Sequence, residues 1–117
     1  MCNFILPSVI SRGDLTIAIS TSGKSPAFAK HLRRRLESQF GPEYATLLAL
    51  MGAIRSRLLK EAHAPEAHKH LFEHLIENGL LEKIRTGDRG EIDKLLGSVL
   101  GPGYRYDQLM ETGMRGR

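Results

Sequence analysis

Apolar and polar positions along the chain predict a short β segment followed by helices. In residues 15–20, Leu15, Ile17 and Ile19 alternate with smaller residues, as in a strand with one covered face. From residue 26 onward, apolar residues recur every three or four positions, which is the period of a helix with one buried face. The predicted helices cover residues 26–40, 43–62, 65–78 and 88–100, with a short helical turn at 80–84. We therefore expect a mostly α fold with a short β element.

The ends of the predicted helices carry their own signals. Ser25 and Pro26 form a helix start, because serine caps free N–H groups and proline suits the first helical position. Asp88 with Glu91 three residues later resembles a capping box. From Gly101 onward, glycines and a proline predict a loosely held tail. The expected core positions are Phe28, Leu32 and Leu36; Tyr44, Leu47, Leu48, Met51, Ile54 and Leu58; and Leu71, Phe72, Leu75 and Ile76.

The apolar segment at residues 4–10 contains Pro7, which lacks an N–H group and disfavours a central strand. Residues 11–14 form a predicted turn. In this interpretation the strand at 15–20 has no partner within the chain, and its backbone groups would stay unpaired. A second copy of the chain could complete the sheet, so the sequence predicts a homodimer.

Composition narrows the class of protein. An apolar fraction of 41% and a charged fraction of 26% are ordinary for a globular domain and disfavour disorder. The net charge of +4 favours an anionic partner without choosing among nucleic acid, phosphate and polycarboxylate. No stretch approaches the ~20 apolar residues that span a bilayer. The single cysteine, Cys2, excludes an internal disulfide, so we expect a cytoplasmic protein that has no membrane partner.

The most informative segment joins the predicted strand to the first helix. Its small hydroxylated residues, glycine and lysine can bind anionic oxygens at a helix start. The candidate site residues are Thr21, Ser22, Gly23, Lys24 and Ser25. A purely structural turn, in which the serine only caps the helix, is the alternative. A nucleotide P-loop is disfavoured, because Ala18 stands where that motif needs a glycine.

Two further patterns are ambiguous. His70 and His74 belong to an H-x-x-E-H pattern, but the residues between them are needed for the core and no clear third ligand appears. A solvated helix face explains them better than zinc. Residues 30–35 include four lysines or arginines and one histidine, which form either a solvated face or a positive field beside the loop. Nucleic-acid binding is disfavoured, since aromatic residues make up only 6% of the chain.

The first third of the chain resembles a known family. Residues 3–10 (NFILPSVI), residues 15–29 (LTIAISTSGKSPAFA) and Leu32-Arg33 are similar to the middle of precorrin-2 dehydrogenase, a segment also present in siroheme synthase. The resemblance combines a fixed proline, the hydroxyl-glycine loop and the capped helix. It identifies the chain as a member of the precorrin-2 dehydrogenase/sirohydrochlorin ferrochelatase family.

The resemblance implies a fold and a function. Family members oxidise precorrin-2 to sirohydrochlorin with NAD, and many also insert iron to give sirohaem. They are homodimers with a Rossmann domain, a dimerisation region and a helical lobe. By analogy, residues 1–62 are the dimerisation and tetrapyrrole-binding region, and residues 63–117 are the C-terminal helical lobe. The residues Thr21–Ser25 then match the loop that lies against the anionic tetrapyrrole.

The chain departs from the family in its catalytic parts. It contains no G-x-G-x-x-G fingerprint and lacks the family's catalytic aspartate. We therefore expect no cofactor and no catalytic residue in this chain, which would be inactive alone. The resemblance implies NAD only for the full-length enzyme and makes a separate Rossmann domain a candidate partner. The alternative functions are a non-catalytic tetrapyrrole-binding or scaffold module and a basic helical domain that binds nucleic acid.

Overall fold

A computed structural model describes residues 6–61 and 65–115. It confirms a mostly α fold with a short β element, and the chain divides into two compact units, Met1–Ala45 and Thr46–Arg117. The predicted segment at Phe4 and Ile5, and the predicted helix end at Ala62, lie outside the described residues. The functional division at residue 62 stays a prediction.

The first unit begins with an antiparallel hairpin. Strand β1 (Ser8–Arg12) pairs with β2 (Leu15–Ile19), and the pairing of Arg12 with Leu15 leaves a two-residue turn. Gly13 opens the turn with φ of +62°, a conformation that glycine adopts without strain. The prediction of a strand without a partner in the chain is wrong. Pro7 lies just before β1, so its missing N–H group removes no hydrogen bond from the sheet.

Helix α1 (Pro26–Gln39) packs on both strands. Ile10 is buried and lies opposite Ile17, as the alternation of a one-sided sheet requires. The guanidinium of Arg12 donates to the carbonyl of Phe40 at 2.6 Å and to that of Glu37 at 3.1 Å. Arginine thus ties the end of β1 to carbonyls at the end of α1 that lack helical partners.

The buried face of α1 differs from the predicted one at its first position. Ala29 is buried, with Leu32 and Leu36 half-buried beside it, whereas Phe28 is 54% exposed. The prediction that Phe28 faces the core is therefore wrong. Ala29, Leu32 and Leu36 follow spacings of three and four, so they define a stripe on which Phe28 lies at the edge.

Five helices form the rest of the described chain. They are α2 (Glu43–Glu61), α3 (Pro65–Glu77), α4 (Leu80–Thr86), α5 (Arg89–Leu100) and α6 (Tyr106–Arg115). In the second unit, α5 packs on α3, α4 and α6. The buried apolar residues there are Leu47, Leu50, Ile54, Leu58, Leu75, Leu80, Ile92, Leu96, Tyr104 and Leu109. None of the helices within residues 6–61 and 65–115 is long and apolar enough to cross a membrane.

Three expectations for these helices need correction. Leu50 is fully buried, whereas Met51, which was expected in the core, is half-buried. Ile76, also expected in the core, is 57% exposed, because α3 turns Leu75 inward instead. The predicted short turn after residue 80 is a helix of seven residues.

The predicted loose tail is wrong over residues 104–112, where the chain packs into the core. Tyr104 and Leu109 are 5% and 3% exposed. The side chain of Asp93 accepts from the N–H of Tyr106 at 2.8 Å and satisfies a free donor at the start of α6. Arg89 forms an ion pair with Asp107 at 2.6 Å. Tertiary contacts thus fix a helix that local glycines and a proline disfavour.

Candidate functional site

The loop between β2 and α1 folds through a tight turn. The N–H of Lys24 donates to the carbonyl of Thr21 at 3.1 Å. The two central residues, Ser22 and Gly23, have φ of +56° and +77°. Positive φ at both central positions is the pattern of a type I′ turn, which strains serine more than glycine. The turn brings the five predicted site residues, including Ser25, into one short bend at the surface.

Three hydroxyl oxygens hold the loop together by accepting from backbone N–H groups. Ser20 Oγ accepts from Ser22 at 3.2 Å, Thr21 Oγ1 accepts from Ser25 at 3.1 Å, and Ser25 Oγ accepts from Phe28 at 3.1 Å. Each hydroxyl also carries a proton that it can donate. Within the described part of the chain, no atom accepts these protons. The loop can therefore donate hydroxyl hydrogen bonds to an external acceptor.

The same bonds define what the backbone can contribute. The bond from Phe28 confirms Ser25 as the helix cap. Internal bonds engage the N–H groups of Ser22, Lys24, Ser25 and Phe28. The donors left for an anion are thus the hydroxyl protons, the lysine ammonium and the N–H groups that these bonds do not engage. Binding of a substrate by these residues stays a prediction.

Charges beside the loop are positive. The ammonium of Lys24 is exposed and makes no hydrogen bond or ion pair with any residue that the structure describes. On α1, the side chains of Lys30, Arg34 and Arg35 are also exposed and have no such partner in the described chain. Arg33 differs, because its guanidinium pairs with the carboxylate of Glu37 at 2.9 Å. Within residues 6–61 and 65–115, the loop and the exposed face of α1 therefore present positive charge that no ion pair balances.

The histidines of α3 do not form a metal-binding cluster with other described side chains. His70 and His74 are exposed, while His68 is 5% exposed and its Nε2 has no hydrogen-bond partner in the described chain. Across residues 6–61 and 65–115, no three histidine, cysteine or acidic side chains are placed to hold one metal ion.

A polar cluster that sequence analysis missed ties α2 to the segment before α6. The hydroxyl of Tyr104 donates to Glu61 Oε1 at 2.7 Å. The guanidinium of Arg57 donates to Glu61 at 3.1 Å and to the carbonyl of Gly103 at 2.6 Å, and lies 4.1 Å from the centre of the Tyr104 ring. The Gly-Pro-Gly run before the tyrosine was a signal of a turn but not of this contact.

The cluster shifts the titration of two groups in opposite directions. The hydrogen bond from Tyr104, followed by that from Arg57, lowers the pKa of the Glu61 carboxyl below its usual range. Burial, followed by the bond to the Glu61 carboxylate, raises the pKa of Tyr104 to about 12. The cluster is distant in sequence from the loop. Its hydrogen bonds join α2 to residues 103 and 104, so we assign it a structural role rather than a binding role.

Comparison with known proteins places this loop in a family. Residues 12–39 match the family described as "Sirohaem biosynthesis protein central". The chain is 31% identical over 96 residues to a siroheme synthase from Methylococcus capsulatus, covering 82% of this chain and 20% of that protein. It is 33% identical over 99 residues to a siroheme synthase from Hydrogenovibrio crunogenus, covering 85% and 21% of the two chains. With a siroheme synthase from Nitrosococcus oceani the identity is 31% over 107 residues, covering 92% and 23%.

The matched family segment contains all five candidate residues, together with β2 and α1. The similarity to the curated relatives extends beyond this segment over most of the chain. The chain spans about one fifth of the length of those relatives. Most of the chain therefore corresponds to a region of the siroheme synthase family.

Proposed function

We propose that the chain is the dimerisation and tetrapyrrole-binding portion of an enzyme of sirohaem synthesis. The similarity to siroheme synthases supports the pathway. The observation that carries the binding proposal is the loop at residues 20–25, whose hydroxyl oxygens accept from the backbone and whose protons remain free to donate. In this proposal residues 1–62 bind the tetrapyrrole and a second protomer, and residues 63–117 form the C-terminal lobe.

The chemistry of the ligand matches these donors. Precorrin-2 and sirohydrochlorin carry acetate and propionate side chains, which are anionic acceptors near neutral pH. Hydroxyl protons of Thr21 and Ser25 can bond to carboxylate oxygens, and the ammonium of Lys24 adds charge to the bond. Ser22 and Gly23 hold the backbone in the turn that presents these groups. The chain thus supplies recognition and orientation of an anionic macrocycle.

We assign no catalytic residue to this chain. The proposal places the NAD-dependent oxidation of the family in a Rossmann domain outside residues 1–117, which acts as a partner of this portion. It also places the protein in the cytoplasm, as expected from its single cysteine.

The hairpin supports a homodimer by a different argument from the one drawn from sequence. Each strand pairs along one edge only, so the outer edges of β1 and β2 have no strand partner within residues 6–61 and 65–115. Val9 on β1 is 45% exposed and adds apolar surface to this sheet. Because an open strand edge presents unpaired N–H and C=O groups, pairing with the same edge of a second copy would satisfy them and extend the sheet. Light scattering of the purified chain should give the mass of two copies, and a monomer at micromolar concentration would contradict this part.

The binding proposal is tested by titrating the purified chain with sirohydrochlorin and following the absorbance of the macrocycle. Lys24→Ala is the informative variant, because its ammonium has no bond within the described chain and its loss leaves the turn intact. Removing one charge-assisted contact should weaken binding about tenfold. Lys94→Ala, which removes an exposed lysine from α5, is the matched control and should bind as the wild type does.

Thr21 needs a paired comparison, because its hydroxyl also supports the loop. Thr21→Val removes the hydroxyl and should weaken binding, whereas Thr21→Ser keeps it and should restore binding. Circular dichroism establishes that each variant is folded. Absence of binding by the folded wild type would sink the tetrapyrrole proposal and leave a scaffold function for the region.

A further inference from the structure

Two histidines on the outer face of α3 have no role in its packing. His70 and His74 are exposed, and neither imidazole makes a hydrogen bond or ion pair with a residue that the structure describes. His68 differs, because it is 5% exposed and lies on the buried side of the helix with Leu75. The ring nitrogens of the two outer histidines therefore stay available to a ligand.

The spacing of His70 and His74 brings both rings to one place. Four residues turn a helix by about 400°, so the two side chains leave the axis in directions that differ by only about 40°. Their Cβ atoms are then roughly 5–6 Å apart. Two nitrogens that bind one tetrahedral ion at ~2.0–2.1 Å lie roughly 3.3 Å from each other, which rotation about the side-chain bonds can reach. The pair can therefore chelate a single ion.

Carboxylates lie on the same face as the pair. Glu66, Glu73 and Glu77 are exposed and form no ion pair with a described residue. Counted at 100° per residue, all three lie within about 60° of His70, on the side away from the second histidine. Lys69, the single lysine or arginine of α3, lies farther round at about 100°. The face therefore attracts a cation, and the imidazoles determine which kind.

The number of ligands determines the kind of site. Across residues 6–61 and 65–115, no three histidine, cysteine or acidic side chains are placed to hold one ion. A structural zinc site has four protein ligands, and a catalytic site has three. Two imidazoles leave the other positions to water, so an ion bound here can exchange. Imidazole suits late first-row ions such as Zn²⁺, Ni²⁺ and Cu²⁺, whereas Mg²⁺ prefers oxygen ligands.

We propose that His70 and His74 form an open, exchangeable site for a late first-row divalent ion. The inference goes beyond the proposed function and uses none of the residues of the loop. It also gives the H-x-x-E-H pattern a physical meaning in this fold. The pattern carries a two-histidine chelate without the third protein ligand of a catalytic zinc ion, so no hydrolytic role follows from it.

The test is calorimetric titration of the full chain with Zn²⁺, in a Cys2→Ser background that keeps the thiol from competing. His70→Ala and His74→Ala should each weaken binding at least about tenfold. The double variant should bind about as weakly as either single variant, because a chelate is lost with its first ligand. His31→Ala removes a lone exposed histidine from α1 and should leave the affinity within about twofold.

A further control keeps the number of histidines and changes only their placement. His74→Ala/Ile76→His moves the second ring to six residues from His70, about 120° round the helix. Ile76 is 57% exposed, so the substitution leaves the core intact. This variant should bind Zn²⁺ as weakly as His74→Ala does, with circular dichroism establishing that it is folded. Saturating Zn²⁺ should raise the midpoint of thermal unfolding of the chain with the native pair and not that of the relocated variant.

Every outcome bears on the proposal. Equal affinity of the native and relocated pairs would refute the chelate, and so would a Kd above about 1 mM for the folded chain with both histidines. Competition by Mg²⁺ at similar concentrations would assign binding to the carboxylates instead. A stoichiometry of one ion per two chains, lost in the same variants, would replace the open site with a bridge between copies. Sirohydrochlorin enters none of these measurements, so their result is separate from that of the proposed function.

Discussion

Replacing Leu109 by alanine should destabilise the second unit, because α6 is a packed helix. The side chain of Leu109 is 3% exposed, and α6 packs on α5. Truncating a buried leucine removes its apolar contacts and leaves a cavity, which together cost about 2–5 kcal/mol. Gln108 and Glu111 beside it in α6 are exposed, so neighbouring side chains can relax into the space and the lower part of this range, about 2–3 kcal/mol, is expected.

This loss is large compared with the total stability of a small protein, about 5–15 kcal/mol. It should lower the midpoint of thermal unfolding by roughly 10 °C. Urea unfolding followed by far-ultraviolet circular dichroism measures the free energy directly. Gln108→Ala is the control in the same helix, since Gln108 is exposed and its replacement should change stability by less than about 0.5 kcal/mol. An equally small effect of Leu109→Ala would refute the packing of α6.

Three further predictions address the hairpin, a helix cap and the tyrosine cluster. Gly13→Ala should destabilise the chain by more than about 1 kcal/mol in urea unfolding, since φ is +62° and the new Cβ would lie 2.7 Å from Cβ of Ala45. Asp88→Ala removes the 3.1 Å bond from the N–H three residues on and should cost about 1 kcal/mol in the same assay, while Asp88→Asn should retain most of it. In an alkaline titration followed by tyrosinate absorbance, one tyrosine should titrate near pH 12 and disappear in Tyr104→Phe. Its raised pKa means that the stability it contributes is full below pH 10 and is lost as the pH rises through about 12. The lowered pKa of Glu61 affects stability at acid pH. The stability that Glu61 contributes is present above the usual carboxyl range and is lost as the pH falls through the folded pKa. Glu61→Gln should therefore make the free energy of unfolding depend less on pH in acid.

Local sequence signals predicted the helices that begin at a capping residue. Ser25 and Asp88 accept from N–H groups at the starts of α1 and α5, as a capping residue must, and both were evident from residue type and spacing. Elements that depend on tertiary contacts were missed. Nothing near Tyr104 or Leu109 in sequence indicates that both are buried, because the glycines and the proline before them favour a turn.

The side-chain directions were harder to predict than the elements. A helix stripe can rotate by one residue without changing its period, so Phe28 and Ala29 exchange roles while the helix stays in place. In the loop, residue type predicted the hydroxyls but not which atoms they would bond. The positive φ of Ser22 was beyond sequence reasoning, since serine adopts it only when surrounding bonds impose it.

The inward bonding of the loop hydroxyls also bears on discrimination between cations and anions. A metal ion binds through oxygen lone pairs, and Ser20, Thr21 and Ser25 each commit one of these to a backbone N–H. An N–H group so close to the oxygen also repels a second positive charge. If the loop binds carboxylates as proposed, its free hydroxyl protons suit that anionic ligand better than a divalent cation, so the macrocycle and any metal ion would be held by different atoms.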